Sequence, residues 1–186
     1  MQTLDELIAL EGDRPCPSED DVRALAACVV GEANERAVTI GTAESCTGGL
    51  ISGALTSVAG SSASVMGGVV SYACSVKQAI LGVEQSVLDS VGAVSRECAL
   101  QMSQGACRAL DAQVCVAVTG IAGPGGAVPG KPVGTVWFSV ATPQRSVAVR
   151  HLFSGNRDQV RAKTVATALE LLRAGVVETQ NPDSIA

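Results

Sequence analysis

Apolar residues at Val22, Leu25, Ala26, Val29 and Val30 recur at helical spacing, and Ser18 stands three residues ahead of Asp21 as a capping box. This pattern predicts an amphipathic helix running to about Arg36. A strand is then expected near 38–44, a glycine-led helix near 48–58, and a strand at about 67–73 (GGVVSYA) beyond the Gly/Ser loop AGSSAS. Two short helices follow, one through Lys77 and Leu81 and one near 84–91. Ser95 opens a longer helix with Ala99, Met102, Ala106 and Leu110 on one face. The run QVCVAVT (113–119) is apolar throughout, as a central strand buried on both faces would be. After the loop GIAGPGGAVPGKPVG, the segments GTVWFSVAT and RSVAVRHLF flank Pro143 and Gln144 as a hairpin. A last helix is expected from about Asn156 to Arg173 or beyond.

Helices alternating with strands, with a hairpin added, predict an α/β fold. The expected form is a three-layer α/β/α sandwich on a mixed, largely parallel sheet with a C-terminal hairpin. One domain is expected over 19–175, with 1–18 as a flexible acidic extension and 176–186 as a tail. The net charge of −5 comes from the head: seven acidic residues against Arg14 within residues 1–21, and 11 acidic against 12 basic thereafter. A near-neutral body with four aromatic residues argues against nucleic acid as a partner. No apolar run approaches the roughly 18–20 residues of a membrane span, and the start MQTLDELIALEGDRP lacks a signal-peptide pattern. Seven cysteines with no CxxC spacing suit a reducing, cytoplasmic setting without disulfides. With a single histidine besides, they argue against a metal site.

Ligands in open α/β sheets gather where strand ends hand over to glycine loops and helices. Three segments have that form: AESCTGG (43–49), SYACSVK (71–77) and TGIAGPGG (119–126). In the first, Ser45 is either a presented nucleophile or, like Thr47, a helix cap. The backbone N–H groups of Cys46, Thr47 and Gly48 are expected free at a helix start, where they would hold an oxyanion or phosphate. Cys46 is the rival nucleophile. Glu44 would orient a base or close a hydrogen bond to its own loop. His151 lies in a hairpin strand and reads as packing, which leaves lysine as a base for serine. Lys163 reads as solvated and Lys131 sits in the glycine loop. Lys77 follows Tyr72, the one tyrosine of the chain, and either assists proton transfer or is simply a surface lysine. Thr119 adds a hydroxyl to the third segment, and Ser61 and Ser62 either hold a phosphate or cap a turn.

Seven pieces in order carry a resemblance: AESCTGG, LTSVAGSS (55–62), GGVVSYACSVKQAILGV (67–83), GAVSRECALQM (92–102), TGIAGPGG, KPVGTV (131–136) and GNRDQVR (155–161). Together they resemble the C-terminal domain of the competence/damage-inducible protein CinA, a family that includes stand-alone nicotinamide mononucleotide (NMN) deamidases. The resemblance implies a cytoplasmic amidohydrolase, without cofactor, that converts NMN and water to nicotinic acid mononucleotide and ammonia. It implies Ser45 as nucleophile, Tyr72 and Lys77 as its activators, and Thr119 and Gly120 at the amide end. Cys46, Thr47, Gly48, Ser61, Ser62 and Arg161 are further candidates for substrate contacts, and a homo-oligomer such as a dimer is implied. Ala59, Val65-Met66 and the AVPGKP loop depart from the family pattern, which bears on substrate preference. Nothing in the chain resembles the pyrophosphatase-associated domain of the larger CinA proteins. Two other readings are a non-catalytic nucleotide-sensing or protein-interaction module and an amidohydrolase of a different amide.

Overall fold

Strands β1 (Ile40–Glu44), β2 (Val65–Val70), β3 (Val114–Gly120), β4 (Thr135–Ala141) and β5 (Ser146–Leu152) build one sheet in the order β2-β1-β3-β4-β5. The computed structural model describes residues 2–179. The first three strands are mutually parallel, whereas β4 and β5 return antiparallel as the predicted hairpin. The sheet is therefore mixed, with its parallel half at the β1 side.

Among the described residues, seven α-helices surround it: α1 (Leu4–Ile8), α2 (Glu19–Arg36), α3 (Leu50–Thr56), α4 (Cys74–Leu81), α5 (Gln85–Ser90), α6 (Arg96–Leu110) and α7 (Arg157–Glu178). Side chains alternate across a strand, so β3 feeds two cores. Val114, Val116 and Val118 join the core that includes Val29 of α2, Ile51 of α3 and Leu172 of α7. Cys115 and Ala117 face the other way, toward Leu81 of α4 and Met102 of α6. This is the expected three-layer sandwich. Ser18 and Asp21 form the predicted capping box at α2, and Ser95 accepts from the Cys98 N–H at the start of α6.

Two expectations fail on the first layer. The acidic head is not a solvated extension: Leu4 and Leu7 are buried in the larger core, and α1 carries its own capping box from Thr3 to Glu6. A helix of five residues, LDELI, among seven acids is too short to show a period. Ion pairs fasten the head, Asp13 to Lys163 at 2.8 Å, Arg14 to Glu170, and Asp5 to Arg145 at 2.7 Å. Lys163 is consequently buried instead of solvated. His151, read as packing, is buried with its ring stacked on Phe153 and its Nδ1 2.9 Å from the Gly12 carbonyl. Burial lowers its pKa, so the neutral ring is favoured. The second failure is the tail: α7 continues through Glu178, so 176–178 belongs to the helix, while 180–186 lie outside the described residues. Among the described residues no helix is long and apolar enough to cross a membrane.

Replacing Leu4 by alanine tests the docked head. Loss of a fully buried leucine should lower the unfolding free energy by about 2–4 kcal/mol in urea titration. A solvated extension would give a change within about 0.5 kcal/mol.

Candidate functional site

β1 ends in a buried glutamate, and that residue organises everything after it. Glu44 Oε2 accepts from Thr47 Oγ1 (2.7 Å) and from the N–H groups of Gly49 (3.0 Å) and Ile51 (3.1 Å). Its Oε1 accepts from the Ser52 N–H (2.8 Å), Ser52 Oγ (2.7 Å) and Thr42 Oγ1 (3.3 Å). A carboxylate from the preceding strand thus caps α3, whose own N-cap residue, Gly49, offers no side chain. The turn needs two successive left-handed residues, Gly48 (φ 63°) and Gly49 (φ 100°), a conformation that glycine adopts without a Cβ penalty. Gly68 of β2 leaves room for the network, since a Cβ there would stand 2.0 Å from Ser52 Oγ.

With Glu44 turned toward α3, Ser45 emerges on the opposite face of the sheet, toward α4. Its N–H donates to the Val118 carbonyl of β3 (3.1 Å), which fixes the residue where the two parallel strands end. Ser45 Oγ lies 3.0 Å from Lys77 Nζ. The ammonium nitrogen also donates to the Ser71 carbonyl at 2.5 Å, and Ser71 is itself held by its N–H to the Glu44 carbonyl (2.8 Å). Lys77 is 1 % exposed and enters no ion pair among the described residues. Burial without a counter-charge lowers its pKa, favouring the neutral amine that can take a serine proton. The reading of Lys77 as a surface lysine is overturned by this burial.

The alternatives at the turn resolve on geometry. Neither Ser45 nor Thr47 caps α3; Glu44 does. Cys46 is buried, and desolvation reinforced by the Glu44 charge pushes its thiol up to about 12, which leaves it protonated and a poor nucleophile. The N–H groups of 46–48 are not all free: that of Gly48 closes the turn on the Ser45 carbonyl (3.2 Å). Those of Cys46 and Thr47 have no partner among the described residues and border Ser45. The helix itself begins at Leu50 with its first turn already occupied by Glu44, so it offers no anion site.

The structure gathers some predicted residues and separates others. Thr119, the penultimate residue of β3, lies beside Ser45, buried, its hydroxyl donating to the Ala93 carbonyl (2.8 Å). Gly120 follows in register with Val136 of β4. Arg161 reaches from α7 so that Nη2 donates to the Thr47 carbonyl (2.9 Å), while its buried Nε has no partner among the described residues. The Thr47 hydroxyl is consumed by Glu44 and is structural. Tyr72 is 68 % exposed and forms no side-chain hydrogen bond among the described residues, so Lys77 alone touches Ser45. Ser61 and Ser62 do not join this cluster. They form a 3-10 turn ahead of β2, and Ser64 accepts from the Ile40 N–H (2.8 Å), which places them where the parallel strands begin, at the opposite end from Ser45. Ser71 and Ser52 escaped sequence reasoning: one contributes a main-chain carbonyl, which no residue pattern marks, and the other a hydroxyl eight positions from its partner.

Two substitutions test this arrangement. Glu44→Gln puts an NH2 donor against donors, and should cost about 2–4 kcal/mol of unfolding free energy because buried N–H groups lose their acceptor. Lys77→Met should remove a pH slope. A lysine whose folded pKa is lowered takes up a proton on unfolding, so stability rises with pH between the lowered value and the ordinary lysine value of about 10.4. Denaturation at a series of pH values should show that rise in the parent and its loss in the variant.

The model of the CinA C-terminal domain family matches residues 22–176. The CinA-like protein of Thermotoga neapolitana is 43% identical over 150 residues, covering 81% of this chain and 36% of that protein. That of Mycolicibacterium gilvum is 50% identical over 136 residues, covering 73% and 32% respectively. The chain thus spans about a third of the length of these curated relatives. Among solved structures, the competence/damage inducible protein CihA from Agrobacterium tumefaciens superposes with a TM-score of 0.80 at 43% identity, over 86% of this chain and 96% of that one. The competence damage-inducible protein A (ComA) from Klebsiella pneumoniae gives 0.82 at 35% identity, over 86% and 99%. With the whole sheet and the Ser45–Lys77 contact inside the matched residues, the chain belongs to the CinA C-terminal domain family.

Proposed function

We propose that the chain is an amidohydrolase that converts nicotinamide mononucleotide and water to nicotinic acid mononucleotide and ammonia, with Ser45 as nucleophile and Lys77 as its base. The observation that carries the reading is the 3.0 Å contact between Ser45 Oγ and the Nζ of a buried lysine that enters no ion pair among the described residues. A serine with no chemical task gains nothing from a desolvated amine, which costs stability. The family resemblance supplies the substrate.

Ser45 Oγ attacks the carboxamide carbon as its proton passes to neutral Lys77, and the carbonyl electron pair moves onto oxygen. The resulting oxyanion faces the N–H groups of Cys46 and Thr47, donors fixed before the reaction begins. Collapse breaks the C–N bond, and the nitrogen leaves as ammonia with the proton held by Lys77. Water then attacks the acyl-serine, giving its proton to Lys77, and Ser45 recovers its own as the carboxylic acid departs. Thr119 and Gly120 border the amide end, and Arg161, with Nε unpartnered, is a candidate for the anionic end. Tyr72 assists from the exposed lip. A reducing, cytoplasmic setting fits the seven free cysteines. A homodimer is part of the proposal: edge strand β2 leaves Met66 and Val70 exposed beside Tyr72, an apolar surface that a second copy would cover.

Ammonia release from the nucleotide should fall at least about a thousandfold in Ser45→Ala and in Lys77→Ala, and remain near the parent rate in Cys46→Ala. Full activity in Ser45→Ala would remove the nucleophile. A variant-independent failure to release ammonia, with the nucleotide bound, would favour a sensing module.

A further inference from the structure

Beyond Ser45 on the same face of the sheet, β4 and β5 present a cross-strand row. Thr119, Trp137 and Arg150 are register partners on β3, β4 and β5. Trp137 and Arg150 open into a cleft of about 480 Å³ bounded by the α5–α6 connection, the first turn of α6 and Lys131. Three of the 12 basic residues outside the head line this one cleft: Arg96, Lys131 and Arg150, against a single carboxylate, Glu97. Lys131 Nζ is held on the Val91 carbonyl at 2.5 Å. Neither Arg96 nor Arg150 makes an ion pair or side-chain hydrogen bond among the described residues, in a chain where Arg14, Arg145, Arg157, Arg161 and Arg173 all do. Trp137, the chain's single tryptophan, is only half-buried, and its indole N–H likewise has no partner among the described residues.

An open indole face beside two unengaged guanidinium groups is the chemistry that recognises a planar ring carrying a phosphate. We infer that this cleft binds a nucleoside monophosphate, its base against Trp137 and its phosphate between Arg96 and Arg150. The inference stands without the assignment of Ser45. The nucleotide is a second molecule, distinct from the one whose amide meets Ser45, because β4 lies two strand spacings, roughly 10 Å, from β1. It is sensed through the Thr119–Ala93 hydrogen bond that ties the cleft wall to the strand end beside Ser45.

The tryptophan gives a direct readout. Titrating the intact protein with adenosine monophosphate should quench Trp137 fluorescence saturably, whereas adenosine should bind at least about tenfold more weakly for want of the charge-assisted contacts. The Arg96→Gln/Arg150→Gln double variant, checked for an unchanged melting temperature, should lose affinity for adenosine monophosphate by a similar factor, and so should each single variant in part. In Ser45→Ala, nicotinamide mononucleotide and adenosine monophosphate should bind simultaneously, and competition between them would place the nucleotide at the Ser45 site and overturn the inference. Absence of quenching by adenosine monophosphate, or equal affinity in the folded double variant, would overturn the inference. None of these measurements depends on ammonia release.

Discussion

The Glu44 carboxylate is the constraint on which the site rests. A fully buried carboxylate with no cation beside it is costly unless hydrogen bonds replace its lost hydration. Glu44 obtains six, three from backbone N–H groups and three from hydroxyls, and every one of them comes from its own strand or from the segment up to Ser52. The same bonds bring the chain out of β1, around two left-handed glycines and into α3 along one path. Ser45 sits inside that path. Its position is therefore fixed by a buried polar network and not by a flexible loop, which is the condition for placing a reacting atom accurately.

The lysine is placed by a second, complementary device. α4 starts just after β2, so Lys77 returns over the end of the sheet, where the Ser71 carbonyl fixes the amine and Ser45 is its one side-chain partner among the described residues. The two chain segments are tied to each other through Ser71, whose N–H donates to the Glu44 carbonyl at 2.8 Å. One backbone hydrogen bond thus links the strand that carries the serine to the turn that positions the base. That no carboxylate among the described residues pairs with Lys77 matters as much as these contacts, because an ion pair would hold the amine protonated.

Across the molecule the large core and the head serve a different purpose. α1, the Asp13–Lys163 pair and the His151–Phe153 stack cover the face of β5 and α7 away from Ser45. They close an apolar surface that would otherwise meet water. The chemistry-bearing face is instead lined by small residues, Ala43, Cys115 and Ala117, which let α6 approach the sheet closely. Beyond them the row widens to Trp137 and Arg150, and the surface changes from apolar packing to unengaged cations.

The order of elements, the layer architecture and the identity of the Ser45 loop were legible in the chain itself, because periodicity, caps and glycine pairs are local properties. Lys77 was named by its place after a strand, yet its burial was not, since desolvation depends on what α6 and β1 bring over it. The head was misjudged for the same reason: Leu4 and Leu7 gain their core only once α7 and β5 stand beside them. Ser61 and Ser62 shared the glycine-loop character of the site, and only the parallel pairing of β1 and β2 sent them to the other end of the sheet. Local hydrogen-bonding preference decides which elements form. Which hydroxyl meets which amine is decided by strand order and layer packing, because those alone set distances between residues 32 positions apart.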